Sequence, residues 1–199
     1  MPIHKLLYIE KYEAMLNGAM KYSLEFDTPN EEIIGFMSYI GKSQNCDRFY
    51  IFEDSTHGEF TSNTYEWCAP GITAEKDSLQ KVEKITLKTW YDRFAQDEAV
   101  IIQDLEDIRD TETALYELLH RQGIKNLVVY PLTVKNKIIG FFGVDNPDIE
   151  ETVEIKAFLS MASSYMVSML RRRNTFFKLQ KDAAIKSYQA IAQIYLSMH

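Results

Sequence analysis

Two short runs of apolar, largely β-branched residues stand out from the polar remainder of the chain. Leu127, Val128, Val129, Tyr130, Leu132 and Val134 form the first, interrupted by Pro131; Ile138, Ile139, Phe141, Phe142 and Val144 form the second. Both have strand-favouring composition, and neither alternates cleanly with polar positions. A strand that is apolar on both faces has to be covered on both. The pattern therefore predicts a central antiparallel pair with other elements above and below it. The polar link Lys135-Asn136-Lys137 is short enough for a hairpin, with Asn136 at positive φ. Gly140 and Gly143 predict a bulge, tight packing or close approach of a ligand. Pro131, which has no N–H for a ladder, marks a bulge or a cavity-facing position. Asp145-Asn146-Pro147 reads as a turn and helix entry.

The flanking segments have other periods. Over residues 3–25, Tyr8, Tyr12, Met15, Leu16, Ala19 and Met20 make one helical stripe. Thr28-Pro29-Asn30-Glu31 is a helix start, with a Thr cap, Pro at the first helical position and Glu three residues after the Thr. The helix it opens should turn Ile33, Ile34, Phe36, Met37 and Ile40 inward and end near Gly41. Residues 46–54 and 60–69 read as strands. Strict alternation in the second puts Thr61, Asn63, Tyr65 and Trp67 on one face, with Ser62, Thr64, Glu66 and Cys68 on the other. A face of Asn, Tyr and Trp can be a pocket wall or a packed core with satisfied polar tips.

Residues 70–82 look like a loop. Leu87, Trp90, Tyr91 and Phe94 recur at helical spacing over 85–96, and residues 100–104 form a short strand ending in Asp104. Asp110 or Thr111 should cap a helix carrying Leu115, Leu118 and Leu119 and closing at Gly123. From about 151 to 198 the pattern is one long helix. Leu170, Phe177, Ala184, Ile191 and Met198 recur every seven residues, with Tyr188 and Tyr195 in the alternate positions. That is a coiled-coil seam, interrupted by Arg171, Arg172, Arg173 and Asn174. The basic run reads as a solvated face or helix-end charge. The helix reaches His199 without a Gly or Pro stop, which predicts that it continues in a longer parent protein.

Composition narrows the function classes. The length of 199 residues fits one domain with extensions or two small ones. Hydrophobic content of 46% supports a sizeable core. A net charge of −7 with a pI near 5.2 argues against a nucleic acid or an anionic membrane as main partner. No apolar run has the length of a bilayer span and no signal peptide opens the chain. Cys46 and Cys68 are too few for a disulfide framework and read as reduced, mostly buried thiols of a cytoplasmic protein.

Catalytic signatures are missing. There is no Gly-rich phosphate loop, no G-x-G-x-x-G, no H-E-x-x-H, no G-x-S-x-G and no C-x-x-C. The four histidines at 4, 57, 120 and 199 lack metal-ligand spacing. Asp104, Glu106 and Asp107 cluster in a loop, where solvation explains them as well as catalysis does.

The order helix, helix, strand, strand, helix, strand, helix, strand, strand, long helix resembles the GAF sensor domain. The residues carrying the resemblance are Q122-G-I-K-N-L with Y130-P-L, then I138-I-G-F-F-G-V-D-N-P147. The strands R48-F-Y-I-F-E53 and N63-T-Y-E-W-C68 also look like GAF modules of bacterial signalling proteins, which often sit beside diguanylate cyclase or histidine kinase domains. The resemblance spans roughly residues 28–170. It departs from the family at Asn136, where Gly is common. The N-K…F-x-x-x-D-E signature of cyclic-nucleotide binders is approached only by F94-A-Q-D97-E98, one residue short. Bilin-binding relatives attach through a cysteine, and Cys68 on a strand is not evidently that residue. Relatives that reduce free methionine sulfoxide use several cysteines.

Pattern and resemblance together predict an α/β chain of the α+β type, with a mixed, mostly antiparallel sheet of five or six strands and a GAF/PAS-like sensor fold. Its parts are an N-terminal helix over 1–27, a sensor core over 28–150 and a long C-terminal helix over 151–199. Terminal helices, Tyr8 to Met20 with Ile155 to Leu170, should cover one face, and the segments between Pro70 and Gly123 the other. A ligand pocket under that second cover would be lined by Tyr65, Trp67, Trp90, Asp104 and Tyr130. The dimer seam would run along Leu170, Phe177, Ala184, Ile191 and Met198. Three functions remain open: a non-catalytic sensor for an unidentified small molecule, a ligand-free dimerisation module, and a thiol enzyme using Cys46 or Cys68. The sequence specifies no cofactor.

Overall fold

The computed structural model describes residues 3–147 and 155–197. Six strands, β1 (Arg48–Asp54), β2 (Phe60–Cys68), β3 (Val82–Glu83), β4 (Val100–Ile102), β5 (Leu127–Val134) and β6 (Lys137–Asp145), form one sheet in the order β3-β2-β1-β6-β5-β4. All five pairings are antiparallel, so the sheet is more uniform than the mixed one expected. The β5–β6 hairpin lies inside it, with Val128 opposite Val144 and Tyr130 opposite Phe142. Lys135 and Asn136 both have positive φ, 49° and 60°. Two such residues make the tight turn whose twist matches that of the strands. Lys137 therefore already belongs to β6, and the link is one residue shorter than its polarity suggests. At Gly140 φ is +149°, and a Cβ would meet the Phe52 carbonyl at 2.0 Å. The register shifts beside it, between Leu132 and Thr133. Gly140 thus serves a bulge and close strand packing.

Both faces are covered, as continuous apolar strands require. Helices α1 (Ile3–Ser23), α2 (Pro29–Ser43) and α5 (Ile155–Ser197) pack on one face. They bring Tyr12, Met15, Leu16, Phe36, Met37, Leu159 and Met166 against Phe49, Ile51, Val128 and Phe142. The Thr28 hydroxyl caps α2, accepting from the Glu31 N–H at 3.3 Å and donating to the Glu31 carboxylate at 2.7 Å. Ile34, expected inward, is exposed; the buried stripe is Ile33, Phe36, Met37 and Ile40. The side chains of Tyr8 and Ile155 lie outside the described residues, as do residues 148–154 and Met198.

Over the other face lie a 3₁₀ turn (Lys84–Leu87), α3 (Lys88–Phe94), a second 3₁₀ turn (Leu105–Ile108) and α4 (Thr113–Arg121). Neither Asp110 nor Thr111 caps α4, which follows Glu112. The chain turns through residues 109–112, where the Glu112 N–H donates to the Ile108 carbonyl, and Glu112 takes the cap position without a side-chain bond. The sheet edges are two- and three-residue strands, too short to template further pairing.

Helix α5 is 43 residues long, about 64 Å at the usual rise. Phe158 to Leu170 pack on the sheet, and from Arg171 onward the helix projects from the domain with most side chains exposed. Arg172 and Arg173 are not simply solvated: they pair with Glu32 of α2 and Glu53 of β1 where the helix leaves the sheet.

Candidate ligand cleft

Period-two alternation along β1 sends Arg48, Tyr50 and Phe52 to the α3–α4 face, while Phe49 and Ile51 go to the other. Phe141 and Asp145 of β6 point the same way. Across from them stand Leu87, Trp90, Leu115, Leu118, Leu119, Gln122 and Ile124, with Leu79 and Val82 closing one side. Phe141 is the hub of the apolar end. Phe52 stacks on it at 4.7 Å, and Trp90 and Phe94 meet it at 5.8 and 5.7 Å between ring centroids. Gly143 lets the Tyr50 ring lie flat over β6, since a Cβ there would fall 2.6 Å from that ring.

The polar end is built on two buried ionisable groups. Arg48 donates from Nε to the Thr73 carbonyl at 3.0 Å and from both Nη atoms to the Gln122 carbonyl at 3.2 Å. Its Nη1 also reaches Asp145 Oδ2 at 3.5 Å. One guanidinium thus ties β1, the 69–81 loop, the end of α4 and β6. Asp145 is 1% exposed, and among the described residues its Oδ1 has no hydrogen-bond partner. Burial pushes its carboxyl up to about 7, against the opposing influence of Tyr50 and Arg48. Burial, and then the Asp145 charge, push the Tyr50 hydroxyl well above the usual range. Glu66 accepts from the backbone N–H groups of Glu75 and Lys76 at 2.9 and 3.0 Å and so pins the loop. The unfilled space is ≈ 40 Å³, room for a few waters at about 10–15 Å³ each. Ligand pockets usually offer several hundred.

Of the five residues expected here, the cleft contains one, Trp90. The placement of Tyr65 and Trp67 away from this cleft has a definite cause. Ile51 pairs with Tyr65 and Phe52 with Asn63, so Thr64 is an extra residue in β2. That bulge reverses the alternation, and Glu66 rather than Tyr65 faces the cleft. Tyr65 instead lies under α5, donating to Asn30 Oδ1 at 2.5 Å with Arg173 over its ring. Trp67 packs on Gly41 of α2. Tyr130 faces the terminal helices and donates to Asp97 Oδ1 at 3.0 Å. Asp104 is exposed and caps the second 3₁₀ turn by accepting from the Glu106 N–H. The residues missed are Arg48, Tyr50, Phe52, Phe141 and Asp145. Their signal was present: an Arg opening one apolar strand and an Asp closing another are charges that must find each other if both are buried.

Among the seam residues, Leu170 is 1% exposed and belongs to the domain's own core, because it is the last residue of α5 still over the sheet. Phe177 and Ile191 are 43% and 60% exposed, and Ala184 is exposed as well. Burial pushes the Cys46 thiol up to about 12 and the Cys68 thiol up to about 11, with Asp145 and Glu66 respectively adding to it. Thiols so shifted are the opposite of activated nucleophiles. Among the described residues, no helix is long and apolar enough to cross a membrane.

Comparison with known proteins agrees with this architecture. No curated protein matches the chain in sequence. Solved structures similar to it include the chromophore-binding domain of the bacteriophytochrome RpBphP3 from R. palustris, with TM-score 0.65 and 10% identity over 83% of this chain and 63% of that one. GAF3 of Slr1393 from Synechocystis sp. PCC6803, in its photoproduct state, has TM-score 0.63 and 15% identity over 77% and 99%. The GAF domain of an Acinetobacter phosphoenolpyruvate-protein phosphotransferase has TM-score 0.61 and 9% identity over 89% and 99%. Identities this low speak for the fold alone. The GAF domain model itself matches residues 36–167, about two-thirds of the sequence, and the chain belongs to the GAF domain family.

Proposed function

We propose that the chain is a non-catalytic regulatory input domain. A small molecule in the Arg48–Phe141 cleft biases the pose of α5, and paired α5 helices of two copies pass that bias to an output domain in the same polypeptide, a diguanylate cyclase or histidine kinase. The observation that carries this reading is the continuity of α5. One rigid helix packs on the sheet through Phe158 to Leu170 and then extends about 40 Å further as residues 171–197. A shift of the sheet face is thereby carried away from the core. The cleft and the helix meet along β1, where Phe52 lines the cleft and its neighbour Glu53 holds Arg173. A ligand acts here only through different affinity for two helix poses. Chromophore binding by the bacteriophytochrome domain supports a small-molecule role for this cleft by analogy of fold.

The test is native mass spectrometry of the purified chain with sedimentation of the same sample. A dimer carrying a co-purified small molecule is the expected result. A monomer at tens of micromolar would overturn the helix-pairing half. A second reading, a ligand-free dimerisation module, is favoured by the small free volume of ≈ 40 Å³. A dimer that binds nothing across a metabolite screen would establish it. The raised thiols of Cys46 and Cys68 oppose a thiol enzyme.

A further inference from the structure

The polar end of the cleft narrows the class of molecule it can hold; this step rests on the sensor reading above. Arg48 already has acceptors at Thr73, Gln122 and Asp145 Oδ2. Among the described residues, Asp145 Oδ1 has no hydrogen-bond partner, although the residue is 1% exposed and lines the cleft. A buried acceptor without a partner carries a desolvation penalty that any properly placed donor removes. Glu66 adds a second carboxylate to the lining. An anionic group would meet two carboxylates and a guanidinium that is already engaged. The Tyr50 hydroxyl and Arg48 are the donors the carboxyl already has, and an N–H donor to Oδ1 would complete the site.

The rest of the lining sets the shape. Tyr50, Phe52, Trp90 and Phe141 line the same cleft with ring faces and edges, and Leu87, Leu115 and Leu119 are apolar and buried. Rings of this kind receive a flat molecule by offset or edge-to-face contact. Leu79 and Leu118 are half-buried and form the rim. Leu79 belongs to the 69–81 loop, which is held to β1 and β2 by side-chain bonds from Arg48 and Glu66. A ring needs more room than a few waters do, and Leu79 at the rim is the side chain whose displacement would supply it.

We infer that the cleft recognises a small planar nitrogen compound, an amidine or an N–H azole, whose N–H donates to Asp145 Oδ1 while its ring packs against Phe141 and Trp90. The acidic lining makes the site reject carboxylates and phosphates of the same size. With its carboxyl raised to about 7, Asp145 accepts from a neutral donor in its protonated form and pairs with a cationic one in its ionised form.

The experiment titrates the full chain with benzamidine, benzoate and toluene, three flat probes differing in the group beside the ring. The Trp90 indole N–H signal in two-dimensional NMR reports on the cleft. Benzamidine should shift it saturably, benzoate should not, and toluene should bind at least tenfold more weakly than benzamidine. Asp145→Asn should weaken benzamidine at least tenfold, and Leu79→Ala, which leaves the polar end untouched, should strengthen it. Equal binding of toluene and benzamidine, in wild type and in Asp145→Asn, would keep the cleft as a ligand site and overturn the N–H donor class. Preference for benzoate would overturn it as well. Should none of the three move the Trp90 signal, in wild type or in Leu79→Ala, the inference falls, while the sensor reading still answers to the metabolite screen. If Asp145→Asn does not fold, the ordering of the three probes on wild type and Leu79→Ala still decides.

Discussion

Glu53 and Arg173 form a bidentate ion pair, with both N–O distances 2.7 Å, at the point where the long helix leaves the sheet. Their side chains are 22% and 12% exposed. Tyr65 receives a further bond from Arg173 at 3.2 Å and itself donates to Asn30. The pair is therefore a latch joining β1, β2, α2 and α5. Burial by itself would raise the Glu53 carboxyl, but bonds from Arg173 and Thr64 and the guanidinium charge hold it below the usual value. Glu53→Gln should cost roughly 2 kcal/mol, the scale of a charge-assisted hydrogen bond. The carboxyl is lowered in the folded state, so its contribution is present above its unfolded value near pH 4 and lost as pH falls through the folded one. Urea titrations at pH 7 and pH 3.5 should show a smaller gap between wild type and Glu53→Gln at the acid pH. An equal gap at both would dissociate the pair from stability.

Asp145 has the opposite sign. Its carboxyl is raised to about 7, so the folded state holds a proton that the unfolded chain has released above pH 4. Stability contributed by the protonated form is full below about pH 4 and declines as pH rises toward 7. The steepest decline one proton allows is about 1.4 kcal/mol per pH unit. Melting curves from pH 5 to 8 should therefore fall more steeply for wild type than for Asp145→Asn. Parallel curves would show that Asp145 does not titrate in this window.

Gly41 bears on Trp67 in the same physical way that Gly143 bears on Tyr50. A Cβ at position 41 would stand 2.3 Å from the Trp67 ring, packed between α2 and β2. Ala is the better helix former by about 1 kcal/mol, but overpacking costs typically 1–3 kcal/mol. Gly41→Ala should be net destabilising and should shift Trp67 fluorescence, read in a Trp90→Phe background. A stabilised protein with unchanged emission would mean that Trp67 is free to move away.

What the sequence disclosed and what it hid divide along one physical line. Local rules were legible: the Thr28 cap, the Asn136 turn, the both-sided apolar strands and the long final helix each depend on neighbours in the chain. The family followed from the same elements. The cleft depended on a single extra residue, Thr64, which no periodicity marks. Once it is bulged out, Tyr65 and Trp67 belong to the core and Glu66 to the site. Arg48 and Asp145 lie 97 positions apart, and only the β1–β6 pairing brings them together. The identity of the pocket wall was a question of register, which alternation settles only when no strand is interrupted.

The projecting part of α5 carries the last prediction. Tyr188, Ile191, Ile194 and Tyr195 are 74%, 60%, 61% and 69% exposed. From Ser187 to Ser197 the helix contains no charged residue. An isolated helix so apolar along its end gains by laying that end against another. With Leu170 engaged in the core, the proposed seam would begin at Phe177 and run through Lys181, Ala184, Tyr188, Ile191 and Tyr195, at alternating spacings of four and three. Lys181 and the preceding arginines weaken the part next to the domain, so most of the pairing energy should reside at the far end. Ile191→Asp should shift the sedimentation equilibrium toward monomer by tenfold or more. Lys181→Leu should shift it toward dimer. Neither change should alter the unfolding free energy of the sheet domain by more than about 0.5 kcal/mol, since both sites are far from the core. An unaltered association constant in Ile191→Asp would mean that the helices pair along another face or do not pair.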